Sequence, residues 1–557
     1  MIIFLWMKLL KAFTNSLASS VFFCILLSLL IYNLNINLNF KFSFFAQLTL
    51  TLVLSYGLII FIACFIVFFL FQFFFDKKIK IAIISPSFLS ISFSFILFLF
   101  LLIFMTNYKY FLSVFSAETS SRLKSQMIIF LFVAVLGLII FYVFYRYRKS
   151  PLLFWTYFVL LGIALAFAVL IRLNYPLPSK PAKIVDTEVK KIDKKIIIIG
   201  LEGLSFEFII PLISEGKLPN FSWFVEEGSW GKLESFSPNE PVVLHNSFNS
   251  GKFPSKHRQI SLYSYRPLYC KDKIEVVPRY ILFRQLIRFG QLKSSPQRHH
   301  VSSYVKDIWE IFEDNKITYI KKDWPYKHEI EILSERAEKS FIQFFQDLQY
   351  ETSETFLIAK EAFYKDYDWE LNAYQEKTEN KPQLFYFLLN GLNIVETYFY
   401  KYSFPDLFGN IDQEEINKFG LVIEKYYQYY DQILGKYLAS LKEDELLIVY
   451  SPHGIEPLPL WKRFIEWILG NRDVSAYHEH APEGAILFYG KGIAKGKNVE
   501  GMKIIDVAPT ILYYLGFSVG RDMDGIVRSS IFKKEFTAEN PISYISSYEE
   551  IPLRTPQ

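Results

Sequence analysis

The sequence contains few cysteines and few charged side chains. Only three of its 557 residues are Cys, and only 21% are Asp, Glu, Lys or Arg. Cys24 and Cys64 lie in apolar runs, which leaves Cys270 alone in the polar half. A single thiol cannot form an internal disulfide, and no CxxC spacing offers a cysteine zinc site. Because 52% of the residues are hydrophobic and 18% aromatic, the composition also excludes a disordered chain, a collagen-like fibre and a disulfide scaffold.

Acidic residues are almost missing from the first third of the chain. Residues 1–175 hold 13 Lys or Arg and 2 Asp or Glu, whereas the remaining 382 residues hold 47 and 53. The excess of basic charge therefore belongs to the apolar part, and the polar part is slightly acidic. A nucleic-acid-binding domain needs a basic patch on its folded surface, so no nucleic-acid partner is predicted.

Five apolar runs are long enough to cross a bilayer, whose ~30 Å hydrocarbon core needs about 20 helical residues. They lie near 12–34, 44–75, 81–106, 126–145 and 152–172. The second run is over-long and is predicted to tilt or break near Gly57. No charged residue lies in the middle of a run, which favours a membrane anchor over a transport pathway. A lipid-binding bundle and a channel or flippase component are the alternatives left open.

The basic residues next to these runs predict their orientation. Lys8 and Lys11 precede the first run, three Lys follow the second within 77–80, and three basic residues follow the fourth at 146–149. Loops rich in Lys and Arg stay in the cytoplasm. We therefore expect a transmembrane domain over 1–175 with a cytoplasmic N-terminus, a Pro-containing linker over 176–193, and an extracytoplasmic (periplasmic or extracellular) domain over 194–557.

The pattern of the polar half is typical of an α/β domain. The β-branched run Ile196–Ile199 predicts a central strand that is buried on both faces. Further strands are predicted at Leu384–Leu389, Leu446–Tyr450 and Ala485–Phe488, and helices near 206–213, 412–441 and 506–515. Alternating strands and helices predict a sandwich with a mostly parallel central sheet. The irregular stretch 258–383 is predicted to be an inserted cap.

Several motifs of the polar half occur in the order of a known family. They are Ile199-Gly-Leu-Glu-Gly, Glu215-Gly-Lys-Leu-Pro-Asn-Phe, Ser247-Phe-Asn-Ser-Gly, Tyr450-Ser-Pro-His-Gly, His480-Ala-Pro-Glu-Gly, Asp506-Val-Ala-Pro-Thr and Gly520-Arg-Asp-Met-Asp-Gly. Together they resemble the alkaline phosphatase superfamily, in particular its type I phosphodiesterase/nucleotide pyrophosphatase branch. The resemblance implies an alkaline-phosphatase-like fold whose site holds two divalent metals and a Ser or Thr nucleophile.

The chain departs from that pattern at the positions that carry the chemistry. The family's first-strand Asp corresponds to Glu202. Its nucleophile corresponds to Pro241, or to Glu240 with a shift of one residue, and neither side chain has a hydroxyl. Its Asp-x-x-x-His pair corresponds to Asn393 and Thr397.

The metal-ligand pattern is also depleted in the last motifs. The family's Asp-His-Gly is here Pro452-His453-Gly454, and His453 and His480 match family ligands. Too few carboxylates remain to neutralise two dications, so we expect the two-metal site to be lost. The site then holds no metal, or a single divalent ion such as Zn²⁺ on Glu202, His453 and His480. His245 is a further candidate as a replacement base or ligand, and His478, two residues before His480, is a further candidate metal ligand.

Two functions follow from the resemblance and its departures. The first is a catalytically degenerate, membrane-anchored pseudoenzyme, which binds or scaffolds an envelope glycan, a lipid head group or a protein partner at the outer face of the membrane. The alternative is a metal-dependent phosphodiesterase or lipid head-group phosphotransferase with a rebuilt active site. Likeness of fold does not by itself convey activity, so the residues of the site must decide between them.

Overall fold

A computed structural model describes residues 2–74, 83–147, 152–175, 193–279, 281, 292–296, 305–324, 335–346, 348, 354–409, 411–479, 481 and 483–549. The chain divides into two compact units. The first unit joins Met1–Lys180 to Pro254–Tyr304, and the second joins Pro181–Phe253 to Val305–Gln557. The stretch 258–383 thus contributes to both units. The predicted domain boundaries and the role of that stretch as a cap stay predictions, and most of the predicted linker lies outside the described residues.

The helices in chain order are α1 (Ile2–Leu34), α2 (Phe42–Leu52), α3 (Leu58–Phe74), α4 (Pro86–Tyr110), α5 (Ala117–Tyr147), α6 (Leu152–Leu173), α7 (Phe206–Ser214), α8 (Pro219–Glu227), α9 (Pro241–Ser250), α10 (Pro254–His257), α11 (Ile308–Asp314), α12 (Glu335–Phe345), α13 (Glu354–Asn380), α14 (Gly391–Ser403), α15 (Gln413–Phe419), α16 (Val422–Ser440), α17 (Leu460–Leu469), α18 (Val507–Tyr514) and α19 (Lys534–Glu539).

The strands are β1 (Lys195–Leu201), β2 (Ser229–Glu234), β3 (Tyr263–Pro267), β4 (Leu292–Pro296), β5 (Tyr319–Lys322), β6 (Leu384–Leu389), β7 (Glu445–Tyr450), β8 (Glu456–Pro457), β9 (Ala476–Tyr477), β10 (Gly484–Gly490), β11 (Lys497–Asn498), β12 (Met502–Lys503), β13 (Val519–Gly520) and β14 (Tyr544–Ile545).

The first unit contains the apolar helices. Within the described ranges, five helical stretches are long and apolar enough to cross a membrane, which confirms the predicted number. The second of them is Phe42–Gln72, and a π-helical turn over Val53–Gly57 joins α2 to α3 inside it. Such turns interrupt the regular hydrogen-bond ladder of a helix, and this one ends at the glycine where the sequence predicts a break.

Two asparagines of the apolar helices bind the backbone of residues 275–279 within the first unit. The Asn35 side-chain oxygen accepts hydrogen bonds from the N–H groups of Glu275 (2.7 Å) and Val276 (2.9 Å), and its amide donates to the Val276 carbonyl (2.8 Å). Asn107 does the same at Arg279, accepting from its N–H at 2.8 Å and donating to its carbonyl at 3.3 Å. Each asparagine thus pairs with both a donor and an acceptor of the backbone of this segment.

The second unit is built on one central sheet. Its order is β11-β2-β10-β7-β1-β6-β5 in the described residues, and β12 also pairs with β2. Strand β1 is parallel to both β6 and β7, while β10 is antiparallel to β7 and β2. All six residues of β6 and of β7 are buried, as expected for strands covered on both faces. The structure confirms the predicted α/β fold with a mixed, mostly parallel sheet.

The parallel register brings three strand ends to one edge of the sheet. Leu201 pairs with Leu389, and Gly200 pairs with both Leu388 and Tyr450. The residues that follow β1, β6 and β7 therefore lie side by side. This is the edge where open α/β sheets bind ligands, and it holds the candidate site.

Candidate functional site

The candidate site begins with a carboxylate directly after β1. Glu202 is 1% exposed, and its Oε1 lies 2.9 Å from Nε2 of His245. His245 is on α9, one helical turn after Pro241, so its ring projects from the start of that helix onto the strand end. A buried carboxylate needs a partner that donates hydrogen bonds or carries positive charge, and the imidazole occupies that place.

Two tyrosines extend this pair into the sheet. Nδ1 of His245 lies 3.2 Å from the Tyr450 hydroxyl, which lies 3.0 Å from the Tyr386 hydroxyl. We call the four side chains Glu202–His245–Tyr450–Tyr386 the relay. Gly200 gives the Tyr450 ring room, because a Cβ at residue 200 would be 3.1 Å from Cε1 of that ring and 2.5 Å from Leu388.

The relay ends in groups that solvent does not reach. Tyr450 and Tyr386 are 0% and 2% exposed. Burial raises the pKa of the Tyr450 phenol above its usual range, with a smaller opposing effect from its hydrogen bond to Tyr386. The Tyr450 phenol therefore cannot serve as an ionised nucleophile towards a substrate from solution.

A second histidine lies beside the relay after β7. His453 is 1% exposed, and its ring stacks on that of His478 with centroids 4.6 Å apart. Its Nδ1 is 3.0 Å from the Gly454 carbonyl, and its buried Nε2 makes no hydrogen bond to the described residues. Burial lowers the pKa of His453 to about 3, helped by His478 and opposed by Glu202. The imidazole is therefore neutral near pH 7.

The structure places Asn393 and Thr397 on the first turns of α14. Thr397 Oγ1 donates to the Asn393 carbonyl at 2.8 Å, and Asn393 Nδ2 donates to Asn390 Oδ1 at 3.1 Å. The buried Asn393 Oδ1 makes no hydrogen bond to the described part of the chain. Neither residue offers a carboxylate or an imidazole, so these two positions supply only neutral oxygen atoms.

Glu396, which the sequence analysis did not single out, lies on the same helix. Its side chain is fully buried and accepts a hydrogen bond from the Tyr427 hydroxyl at 3.2 Å. Burial raises the pKa of Glu396 well above its usual value, with Tyr427 opposing. Burial thus disfavours the charged form of this carboxyl, which lies next to Gly203, where a Cβ would be 2.5 Å from Glu396 Oε2. Glu396 lies between Asn393 and Thr397 in the sequence, and nothing in that spacing indicates that its side chain is buried at the site.

The position expected for the nucleophile has no hydroxyl. Helix α9 begins at Pro241, and Glu240 is its N-cap residue but makes no capping hydrogen bond with its side chain. Ser247, further along α9, is fully buried. Proline is favoured at the first helical position because its missing N–H has no partner there, so the helix start fits a structural role.

The family motif at 520–525 holds the other end of α9. Gly251 ends the helix with φ +66°, and its carbonyl accepts hydrogen bonds from the N–H groups of Asp524 (2.9 Å) and Gly525 (3.0 Å). Asp524 in turn accepts from the Phe253 N–H at 2.9 Å. This part of the resemblance therefore positions the helix that carries His245.

The donor set does not fit a pair of divalent metals. In the described ranges, no group of three or more His, Cys, Asp or Glu could hold a metal ion, and His480 lies outside those ranges. Glu202 is the one carboxylate at the strand edge that the sequence analysis nominated, and it is bonded to His245. Two dications need several anionic ligands for charge balance. The single-metal set of Glu202, His453 and His480 stays a prediction.

The sequence predicted His245 only as a further candidate base or ligand, beside Glu202, His453 and His480. The signal that could have promoted it is its spacing of four residues from Pro241, which places it one turn along the helix and over the same edge. Its contact with Glu202 crosses 43 residues of sequence, and spacing alone does not give such a contact.

Comparisons with known proteins find a matching family and similar solved structures. The profile of the family described as type I phosphodiesterase / nucleotide pyrophosphatase matches residues 196–515. Among solved structures, murine ectonucleotide pyrophosphatase / phosphodiesterase 5 in an inactive form with AMP is similar, with 11% sequence identity and a TM-score of 0.35. That match covers 58% of this chain and 96% of the murine chain. The phosphonate monoester hydrolase of Silicibacter pomeroyi is also similar, with 13% sequence identity and a TM-score of 0.36. That match covers 61% of this chain and 76% of the hydrolase chain. A search of curated proteins gives no match.

Proposed function

This chain belongs to the type I phosphodiesterase / nucleotide pyrophosphatase family, and we propose that it is a member without the family's catalysis, a binding or scaffolding module held in a membrane by its N-terminal helices. The observation that carries the proposal is the Glu202–His245 contact of 2.9 Å. An imidazole partners the strand-end carboxylate that the resemblance assigns to a metal.

The missing nucleophile supports the same proposal. Pro241 begins the helix at the family's nucleophile position, and the nearby hydroxyls of Ser247, Tyr386 and Tyr450 are all buried. Covalent phosphoryl transfer needs an oxygen that reaches the substrate and a group that activates it. The relay offers an oriented histidine, 16% exposed in its side chain, but no oxygen for it to activate.

The partner and the side of the membrane are part of the proposal. The basic residues next to the apolar helices support a cytoplasmic N-terminus and, with five spans, a second unit at the outer face. A site without turnover suits recognition, and the ligand classes that fit such a location are an envelope glycan, a lipid head group or a protein partner.

Turnover by the full-length protein tests the proposal. In detergent, with Zn²⁺ or Mn²⁺ present, we expect hydrolysis of bis(p-nitrophenyl) phosphate to be at least ~10³-fold below the typical enzymatic kcat of ~10 s⁻¹. The comparison protein restores the family's residues with Glu202→Asp, Pro241→Thr, Asn393→Asp, Thr397→His and Pro452→Asp. Turnover in this variant alone would support the proposal, and family-like turnover in the unaltered chain would overturn it.

Metal content separates the alternative function from the proposed one. We expect elemental analysis of the intact protein to find less than one Zn²⁺ per chain, because Glu202 is bonded to His245 and a zinc site needs three or four ligands. Stoichiometric zinc that is lost in His453→Ala but kept in the exposed-site control Ile526→Ala would favour a rebuilt, metal-dependent phosphodiesterase or head-group phosphotransferase.

A further inference from the structure

Helix α17 carries an uncovered apolar face on the second unit. Five of its large hydrophobic side chains are exposed, in the order Leu460 (77%), Trp461 (51%), Phe464 (61%), Trp467 (54%) and Ile468 (60%). Their spacing of one, three, three and one residues puts them on one side of an α-helix. The helix therefore has a continuous apolar stripe whose five side chains are each more than half exposed.

The polar side of the same helix is attached to the domain. Lys462 forms an ion pair with Glu479 at 2.5 Å and lies over the Tyr477 ring at 3.8 Å. Arg463 donates to the carbonyls of Leu458 (2.7 Å) and Leu407 (3.0 Å). The apolar stripe cannot turn inward without breaking these contacts, so its exposure follows from how the helix is attached.

The stripe is unusual for this unit. The other exposed large hydrophobic side chains of the second unit, in the described ranges, are distributed over several helices, strands and loops. They are Ile210, Trp223, Ile342, Leu357, Phe404, Leu407, Leu421, Ile526 and Tyr544. Single exposed apolar side chains are normal on soluble surfaces, whereas a contiguous patch marks an interaction surface.

The chemistry of the patch suits a lipid–water interface. Trp and Phe are favoured there because each ring is large and apolar, and the Trp N–H can stay in water. Basic groups lie next to the aromatic rings: Lys462 is 5.4 Å from the Trp461 ring and Arg472 is 5.6 Å from the Trp467 ring. Residues 460–472 hold three basic and one acidic side chain, although the chain beyond residue 175 is acidic overall.

We propose that α17 docks the second unit onto the bilayer, with Leu460, Trp461, Phe464, Trp467 and Ile468 inserted among the lipids. The bilayer is the favoured occupant, because five described helices of the same chain are long and apolar enough to anchor it in a membrane. A short amphipathic helix of this composition lies in the plane of the membrane, its apolar face about 5–10 Å into the head-group and acyl boundary. This docking is independent of whether the site turns over substrate.

Depth measurements on the full-length protein in nanodiscs test this docking. An environment-sensitive fluorophore is attached at Ile468→Cys, and the matched control carries it at Ile526→Cys, which is similarly exposed at 59% on the same unit. The protein with its three native cysteines gives the labelling background. Lipids brominated near the head group should quench roughly half of the fluorescence at position 468 and little at 526.

A second variant separates lipid contact from other occupants. In Trp461→Glu/Phe464→Glu, quenching at position 468 should fall to the level of the 526 control, while the melting temperature stays unchanged because both side chains are exposed. Equal quenching at 468 and 526 in the unaltered chain would overturn the proposal. Energy transfer between labels of neighbouring copies without lipid quenching would also overturn it, since a second copy would then cover the helix.

Discussion

Replacing Lys252 with methionine should lower the unfolding free energy of the second unit by about 3–5 kcal/mol. The Lys252 side chain is 3% exposed, and its Nζ lies 2.5 Å from an Asp522 oxygen and 2.7 Å from a Glu549 oxygen. Ser547 also donates to Asp522 at 2.8 Å. Removing the cation leaves two partly buried carboxylates close together without their counter-charge, which is more costly than losing an ordinary hydrogen bond.

The same cluster provides the control. Substituting all three charges, Lys252→Met with Asp522→Asn and Glu549→Gln, should recover most of the loss because no uncompensated charge remains. Lys495→Met removes the exposed pair with Glu227 and should change nothing measurable. Urea-dependent pulse proteolysis of the full-length protein in detergent measures all of these. A loss in Lys252→Met no larger than in Lys495→Met would contradict the expectation.

Replacing Asp366 with alanine is expected to cost about 3–5 kcal/mol, from three buried donors left without an acceptor. Asp366 is 0% exposed on α13 and accepts hydrogen bonds from the hydroxyls of Tyr426 and Tyr430, each at 2.8 Å, and from the Gly391 N–H at 3.1 Å. It therefore joins α13 to α16 and to the first turn of α14. A Cβ at residue 391 would be 1.9 Å from the Tyr426 hydroxyl, which shows how closely these groups pack.

The charge of Asp366 should make stability depend on pH. Burial raises its pKa from 3.8 to about 7, against the lowering effect of the Tyr and Gly391 hydrogen bonds. Because the folded state holds the proton more tightly than the unfolded state, stability should fall as pH rises from about 4 to about 7. The full span corresponds to about 4 kcal/mol.

Asp366→Asn isolates this effect, since it keeps an oxygen acceptor and cannot ionise. Urea midpoints at pH 4.5, 6.0 and 7.5 should converge for the two proteins at the acid end, and the Asn variant should be the more stable at pH 7.5. Parallel pH profiles for the two proteins would show that Asp366 does not titrate in this window.

The candidate site was only partly predictable from sequence. The edge of the sheet follows from the order of strands and helices, because parallel strands place their carboxyl ends together. Glu202 and His453 were nominated from the family pattern, and both lie at this edge. The relay was not predicted, since it joins Glu202, His245, Tyr386 and Tyr450 across separations of 43 to 205 residues.

The sequence by itself determined the five apolar helices and the buried strands, because length, hydropathy and β-branching are properties of neighbouring residues. It also determined the family, because the order of the motifs can be read directly along the chain. Only the tertiary structure decided that His245 partners Glu202, that Asn35 and Asn107 bind residues 275–279, and that the apolar stripe of α17 faces outward. These outcomes depend on which distant surfaces come into contact and on the register of that contact. Hydrophobic burial is non-directional, so a local pattern says that a residue has an apolar neighbour but not which one.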